Sequence, residues 1–181
     1  MSNALVIIME GVEELEAIAP VDLLRRAGAT VTVASASSSL EIIGRNGIRV
    51  TADMPFAEAE GKAFDLVVVP GGPGHADLLE HKGLLDLLVR QNTAGRLIGS
   101  ICAGPVVLNQ AGVLEGKKFT SFPGTADLLP DRDAQSAVVV DGNIITSQGA
   151  GTALVFALAL IKALFGQNKR DEIADSICFS D

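Results

Sequence analysis

The sequence predicts an α/β fold built on a mostly parallel sheet with helices on both faces. Three observations carry this. Residues 4–9 are a continuous apolar run, as expected of a strand covered on both sides, and residues 64–69 and 97–101 also read as buried strands. Stretches with helical spacing lie between such runs. Glycine- and proline-rich turns follow at residues 70–74 and 102–105, on the edge where open α/β sheets take their ligands.

The first strand turns through residues 10–14 into a helix over residues 15–26, with Leu15, Ile18, Ala19 and Leu23 on related faces. Pro20 constrains where that helix begins, because a proline deep inside a helix forfeits a hydrogen bond. Glu16 therefore falls in the first turn, just past the carboxyl end of the strand. Gly28 ends the helix, and residues 30–34 return as a second strand. Residues 41–52 form an extra, projecting hairpin around Asn46-Gly47, a dipeptide that accepts positive φ angles. Arg45 beside that turn reads as a solvated charge at a loop tip or as a cation within reach of anions.

Helices are expected at residues 75–79 and 84–90, before the strand at 97–101. A helix then runs from Pro105 to about residue 111, and residues 118–121 are expected as a short strand. Residues 136–140 and 143–147 make a second hairpin about Asp141-Gly142. A small-residue entry at 148–152 leads into a long apolar helix over residues 153–165, stopped by Gly166. The charged tail at 167–181 reads as a surface helix, with Cys178 incidental.

Composition narrows the function. The 181 residues are expected to form one domain, residues 1–181. With 48% hydrophobic residues and no Trp or Tyr, the core must come mainly from Val, Ile, Leu and Ala, and aromatic stacking on nucleobases is not expected. The net charge of −8 disfavours nucleic acid and anionic membrane surfaces as partners. No stretch reads as a signal peptide or membrane span. Cys102 and Cys178 have no metal-ligand spacing and read as free thiols in the cytoplasm.

The chemistry centres on Cys102. An apolar strand runs into it, and Ala103, Gly104 and Pro105 permit an immediate turn into a helix whose first N–H groups lack intrahelical partners. Those groups favour thiolate over thiol, and the Ala103 N–H becomes available to a developing oxyanion. Taken alone, Cys102 fits a small buried hydrophobe as well as a nucleophile. The Gly72 N–H is a candidate second donor, since the 70–74 turn is no phosphate loop and shares the sheet edge with the cysteine. In a parallel sheet the ends of these strands converge, so Glu16, Gly72 and Cys102 become neighbours. A carboxyl beside a thiol is then a coupled pair in which one shared proton is favoured over two charges, and helix dipoles alone do not decide its holder.

Residues 11–16, 20–22, 25–28, 70–72, 101–105 and 146–152 together resemble the ThiJ/PfpI superfamily, nearest the branch of the Parkinson's-linked protein deglycase and its bacterial relatives. The match runs in order along essentially the whole chain. It implies a flavodoxin-like three-layer sandwich with an extra hairpin, and a homodimer. It also implies a reactive Cys102 with Glu16 as its partner, and backbone donors from Gly72 and Ala103. By the same likeness Arg25 and Arg45 belong to a dimer-side anion region. One position departs from the pattern: where relatives often carry a histidine near the thiol, this chain has Phe122. The histidines are His75 and His81; His75 follows the glycine turn and reads as a solvent-facing helix start or as a residue at the cleft rim. Proton transfer then falls mainly on Glu16. The same scarcity counts against a glutamine amidotransferase or peptidase.

Two functions follow. The first is a cofactor-free, glyoxalase III-like or protein deglycase-like enzyme, with no metal, acting on small aldehydes or glycated protein through a Cys102 hemithioacetal. The second is an oxidative-stress sensor or redox-regulated chaperone using Cys102 oxidation. The enzyme is preferred, because a paired carboxyl and two backbone donors exceed what thiol oxidation requires.

Overall fold

The computed structural model describes residues 2–180. In chain order its elements are β1 (Asn3–Ile8), α1 (Glu14–Arg26), β2 (Thr30–Ser35), β3 (Glu41–Ile43), β4 (Arg49–Thr51), β5 (Met54–Pro55), α2 (Phe56–Ala59), β6 (Leu66–Val69), α3 (His75–Leu78), α4 (Lys82–Thr93), β7 (Leu97–Ile101), α5 (Gly104–Gln110), β8 (Val138–Asp141), β9 (Ile144–Ser147), α6 (Ala153–Phe165) and α7 (Gln167–Ser176). Among the described residues one sheet has the order β5-β2-β1-β6-β7-β9-β8, parallel throughout except for the β8–β9 pair. This is the flavodoxin-like α/β sandwich that the sequence predicts.

The central strands are apolar on both faces because both faces are covered. Leu5, Val6, Ile7, Val67, Val68 and Ile98 have no exposed surface. Val139 and Val140 sit on β8 at the sheet's edge, and Val140 is exposed. The core is aliphatic as composition requires, with Phe156 of α6 a large aromatic exception.

Two local expectations change, at residues 118–121 and in the first hairpin. The helix α1 runs through Pro20 with Glu16 in its first turn, as expected, although Pro20 offers no N–H to the Glu16 carbonyl. A proline inside a helix costs about 3 kcal/mol relative to alanine; burial of Pro20 between its neighbours Ala17, Val21 and Leu24 offsets this, and α1 packs along α6. Residues 118–121 are extended but form no strand. Their N–H groups go to side chains instead, Lys118 N to Asp141 Oδ2 at 2.8 Å and Thr120 N to Thr146 Oγ1 at 2.9 Å. The hairpin β3–β4 forms its own two-stranded sheet, but it does not simply project. The Glu14 carboxylate accepts from Asn46 N and Asn46 Nδ2, both at 2.8 Å, and pins the turn to the start of α1.

Candidate active site

β7 delivers its last residue, Ile101, to a sharp turn before α5, and Cys102 takes φ +63° there. A left-handed conformation at a non-glycine residue costs on the order of 1–3 kcal/mol and persists only when its surroundings enforce it. Here Cys102 N donates to Ser147 O at 3.0 Å, and the Cys102 carbonyl accepts from Phe122 N at 2.9 Å. Gly104 is obligatory: a Cβ there would lie 2.4 Å from both Ser100 Oγ and the Val69 carbonyl oxygen. The elbow is thus clamped from β6, β9 and the 122 segment together.

Glu16 reaches the same point from α1. Glu13 caps that helix, its carboxylate accepting from Glu16 N at 2.9 Å. The Glu16 side chain, only 1% exposed, accepts from Gly71 N at 2.9 Å, and a Cβ on Gly71 would lie 2.8 Å from Glu16 Oε2 and 2.7 Å from Cys102 Cβ, so carboxyl and thiol meet there. The N–H groups of Gly72 and Ala103 favour the Cys102 thiolate. The three strand ends therefore converge as the parallel topology predicts.

The electrostatics favour the proton on sulfur, a balance that helix dipoles alone leave open. Burial, followed by the charge and hydrogen bond of Glu16, pushes the Cys102 thiol up to about 12 despite the Gly72 and Ala103 donors. The start of the short helix α5 does not prevail, because Cys102 is buried, 7% exposed, beside a carboxyl. Burial also raises Glu16 to about 7, with the charge of Glu13 adding to the rise; the Cys102 hydrogen bond, the Gly71 N–H and Arg45 pull the other way. Both groups move upward, so over a wide pH range the pair holds one proton between them.

A cleft of about 210 Å³ opens on the sulfur. Arg45 and His75 line it, so neither is only a solvated surface group. Arg45 N donates to the Val12 carbonyl at 2.9 Å, and the turn pinned by Glu14 carries its side chain toward the cleft. His75 Nδ1 lies 2.9 Å from the Gly72 carbonyl oxygen. Phe122, 47% exposed, lines the rim without sealing it, beside Thr125. Arg25 is elsewhere: in the last turn of α1 it donates to the Val31 carbonyl at 3.0 Å and pairs with Asp53 at 3.2 Å, outside this cleft.

Sequence reasoning missed Gly71, Glu13 and Glu14. A Cβ at Gly71 would stand 2.7 Å from Cys102 Cβ and 2.8 Å from Glu16 Oε2, so the residue keeps open the space in which the pair meets. The Glu13-x-x-Glu16 spacing is a visible capping signal. Glu14 gave no such signal, since its partners are 32 to 34 residues away. Among the described residues no group of three or more His, Cys, Asp or Glu is placed to hold a metal ion, and no helix is long and apolar enough to cross a membrane.

Comparison with known proteins gives a consistent result. Residues 2–163 match the DJ-1/PfpI family. Protein DJ-1 homolog B of Arabidopsis thaliana is 42% identical over 168 residues, 91% of this chain, but the match spans only 38% of that protein's length. Protein dj-1beta of Drosophila melanogaster is 40% identical, over 97% of this chain and 96% of its own. A Caenorhabditis elegans relative, glutathione-independent glyoxalase DJR-1.2, is 34% identical over 94% of this chain and 92% of its own. The structure of oxidized Toxoplasma gondii DJ-1 superposes with TM-score 0.96 at 33% identity, covering all of both chains.

Proposed function

From a chain that belongs to the DJ-1/PfpI family, we propose a cysteine-dependent, cofactor-free enzyme that converts small α-oxoaldehydes such as methylglyoxal to hydroxy acids. A relative of near-equal length named as a glutathione-independent glyoxalase supports the class of chemistry. The observation that carries the reading is the meeting of the buried Glu16 carboxyl and Cys102 at the space Gly71 keeps open, where the Gly72 and Ala103 N–H groups favour the thiolate.

The thiol proton passes to the Glu16 carboxylate as sulfur bonds to the aldehyde carbon, and the carbonyl oxygen becomes an oxyanion facing the Gly72 and Ala103 donors. Glu16 returns the proton to that oxygen, giving a hemithioacetal. It then removes the hydrogen from the sulfur-bearing carbon, giving an enediolate, and delivers it to the neighbouring carbon, while the hydroxyl proton passes from the first oxygen to the second. The result is a 2-hydroxyacyl thioester, which water cleaves to the hydroxy acid and free thiol. A base with a pKa of about 7 is matched to moving protons both ways near neutral pH. The same addition extends to early glycation adducts on proteins, a hydrolase-type deglycase activity. If Cys102→Ser and Glu16→Gln variants turn over methylglyoxal as fast as the parent, this mechanism is wrong.

The oxidation-sensor reading is less well supported, because it needs an accessible thiol of low pKa, whereas Cys102 is 7% exposed and its pKa is raised. For the assembly we infer a cytoplasmic homodimer. Leu15 and Ile18 of α1 and Leu154 of α6 are large apolar side chains left exposed on two helices that pack together. Light scattering on the purified protein tests this, and a monomer at micromolar concentration sinks it.

A further inference from the structure

We propose that His75 is a second catalytic residue of the Cys102 cleft, the base that takes a proton from the water that frees the acyl group from sulfur. The inference rests on the carbonyl chemistry above and assigns its last step, attack by water entering from the mouth of the cleft.

The argument begins with the tautomer. His75 Nδ1 lies 2.9 Å from the Gly72 carbonyl oxygen, an atom that only accepts, so Nδ1 carries the proton. In the neutral ring Nε2 then keeps its lone pair. The ring is half-buried and lines the cleft that contains the sulfur. Water reaches the thioester through the open mouth of that cleft. Of the side chains around it, Arg45 has only donors, and Pro73 and Phe122 have neither donor nor acceptor. Thr125 Oγ1 donates to the Phe122 carbonyl at 2.8 Å and shares a hydrogen bond with Ser121 Oγ, also at 2.8 Å, and a hydroxyl is too weak a base to take a proton from water. Glu16 is 1% exposed and held by the Gly71 N–H, away from entering solvent. Among these lining side chains His75 Nε2 is the acceptor basic enough to take a proton from water.

The step balances without a further reactant. The water oxygen bonds to the acyl carbon while Nε2 takes one of its protons, and the tetrahedral oxyanion faces the Gly72 and Ala103 N–H groups. Collapse breaks the carbon–sulfur bond, the electron pair goes to sulfur, and the imidazolium returns its proton to the departing thiolate. Free thiol, neutral imidazole and carboxylic acid remain.

The test supplies the acyl group independently of any aldehyde. Cys102 is acetylated with p-nitrophenyl acetate, and loss of the thioester is followed by intact mass in the parent, His75→Ala and His75→Asn. Asparagine keeps an N–H donor for the Gly72 carbonyl but has nothing at the Nε2 position. Both variants are expected to deacylate about 10²-fold more slowly than the parent, the usual scale of general-base catalysis, and added imidazole should restore the alanine variant. Deacylation of His75→Asn at the parental rate, or no imidazole rescue, overturns the proposal. His75-dependent deacylation in a protein that fails to turn over methylglyoxal supports His75 and rejects the aldehyde substrate alone.

Discussion

The Gly71 N–H donates to Glu16 Oε2 at 2.9 Å, and no other residue type fits where Gly71 stands. A Cβ there would lie 2.7 Å from the Ala103 nitrogen as well as from Cys102 Cβ. Gly71→Ala should therefore push the thiol and carboxyl apart. Overpacking costs about 1–3 kcal/mol, so the variant should stay folded, with a lower urea midpoint and methylglyoxal turnover reduced at least about tenfold. Parental turnover would mean that the pair tolerates separation.

Glu16 sets the acidity of its neighbour. In Glu16→Gln the carboxylate charge is removed while burial of the sulfur remains, so the Cys102 thiol should titrate below its parental value of about 12. Iodoacetamide at pH 9 should then alkylate Cys102 faster in the variant, even as turnover is lost. An unchanged or slower alkylation rate contradicts the coupling.

Stability should fall across a defined pH window. The folded-state pKa of Glu16 is about 7 against an ordinary value of 4.5, so the native state holds a proton that the unfolded chain releases. This contribution is fully present below pH 4.5 and lost as pH rises through 7. A shift of that size corresponds to roughly 3 kcal/mol. Urea unfolding at pH 5 and pH 8 measures it, and Glu16→Gln should flatten the difference; an equal drop in both proteins assigns it to other groups.

Glu14 holds Arg45 at the cleft. Burial opposes its charge, yet hydrogen bonds from its own backbone N–H, Asn46 and Ile48 outweigh that and keep the carboxyl below its usual range. Glu14→Ala removes the acceptor for Asn46 N and Ile48 N, and a lost hydrogen bond to a charged group costs about 1.5–3 kcal/mol. Amide exchange at Asn46 and Ile48 should accelerate selectively, with the β1 amides unchanged. Uniform acceleration would point to global destabilisation instead.

Much of this was legible before folding is considered. Continuous apolar runs mark strands covered on both faces, and Cys102-Ala103-Gly104-Pro105 spells an abrupt strand-to-helix turn. The failures share a cause. Residues 118–121 look like a strand, but the Asp141 and Thr146 side chains take the N–H groups that a ladder would use. The turn at Asn46-Gly47 looks like a free projection, but the Glu14 carboxylate, 32 residues away, holds it to the start of α1.

By itself the sequence determined the central strands and the helices between them, the elbow at Cys102 and the place of Glu16 in the first turn of its helix, because periodicity and turn chemistry act between residues close along the chain. Only the tertiary structure decided that the thiol's pKa is raised, that His75 and Arg45 line the cleft and that Arg25 does not. Those outcomes depend on desolvation and on distances between groups far apart in sequence, such as Gly71 and Glu16, separated by 55 positions, and packing alone sets them.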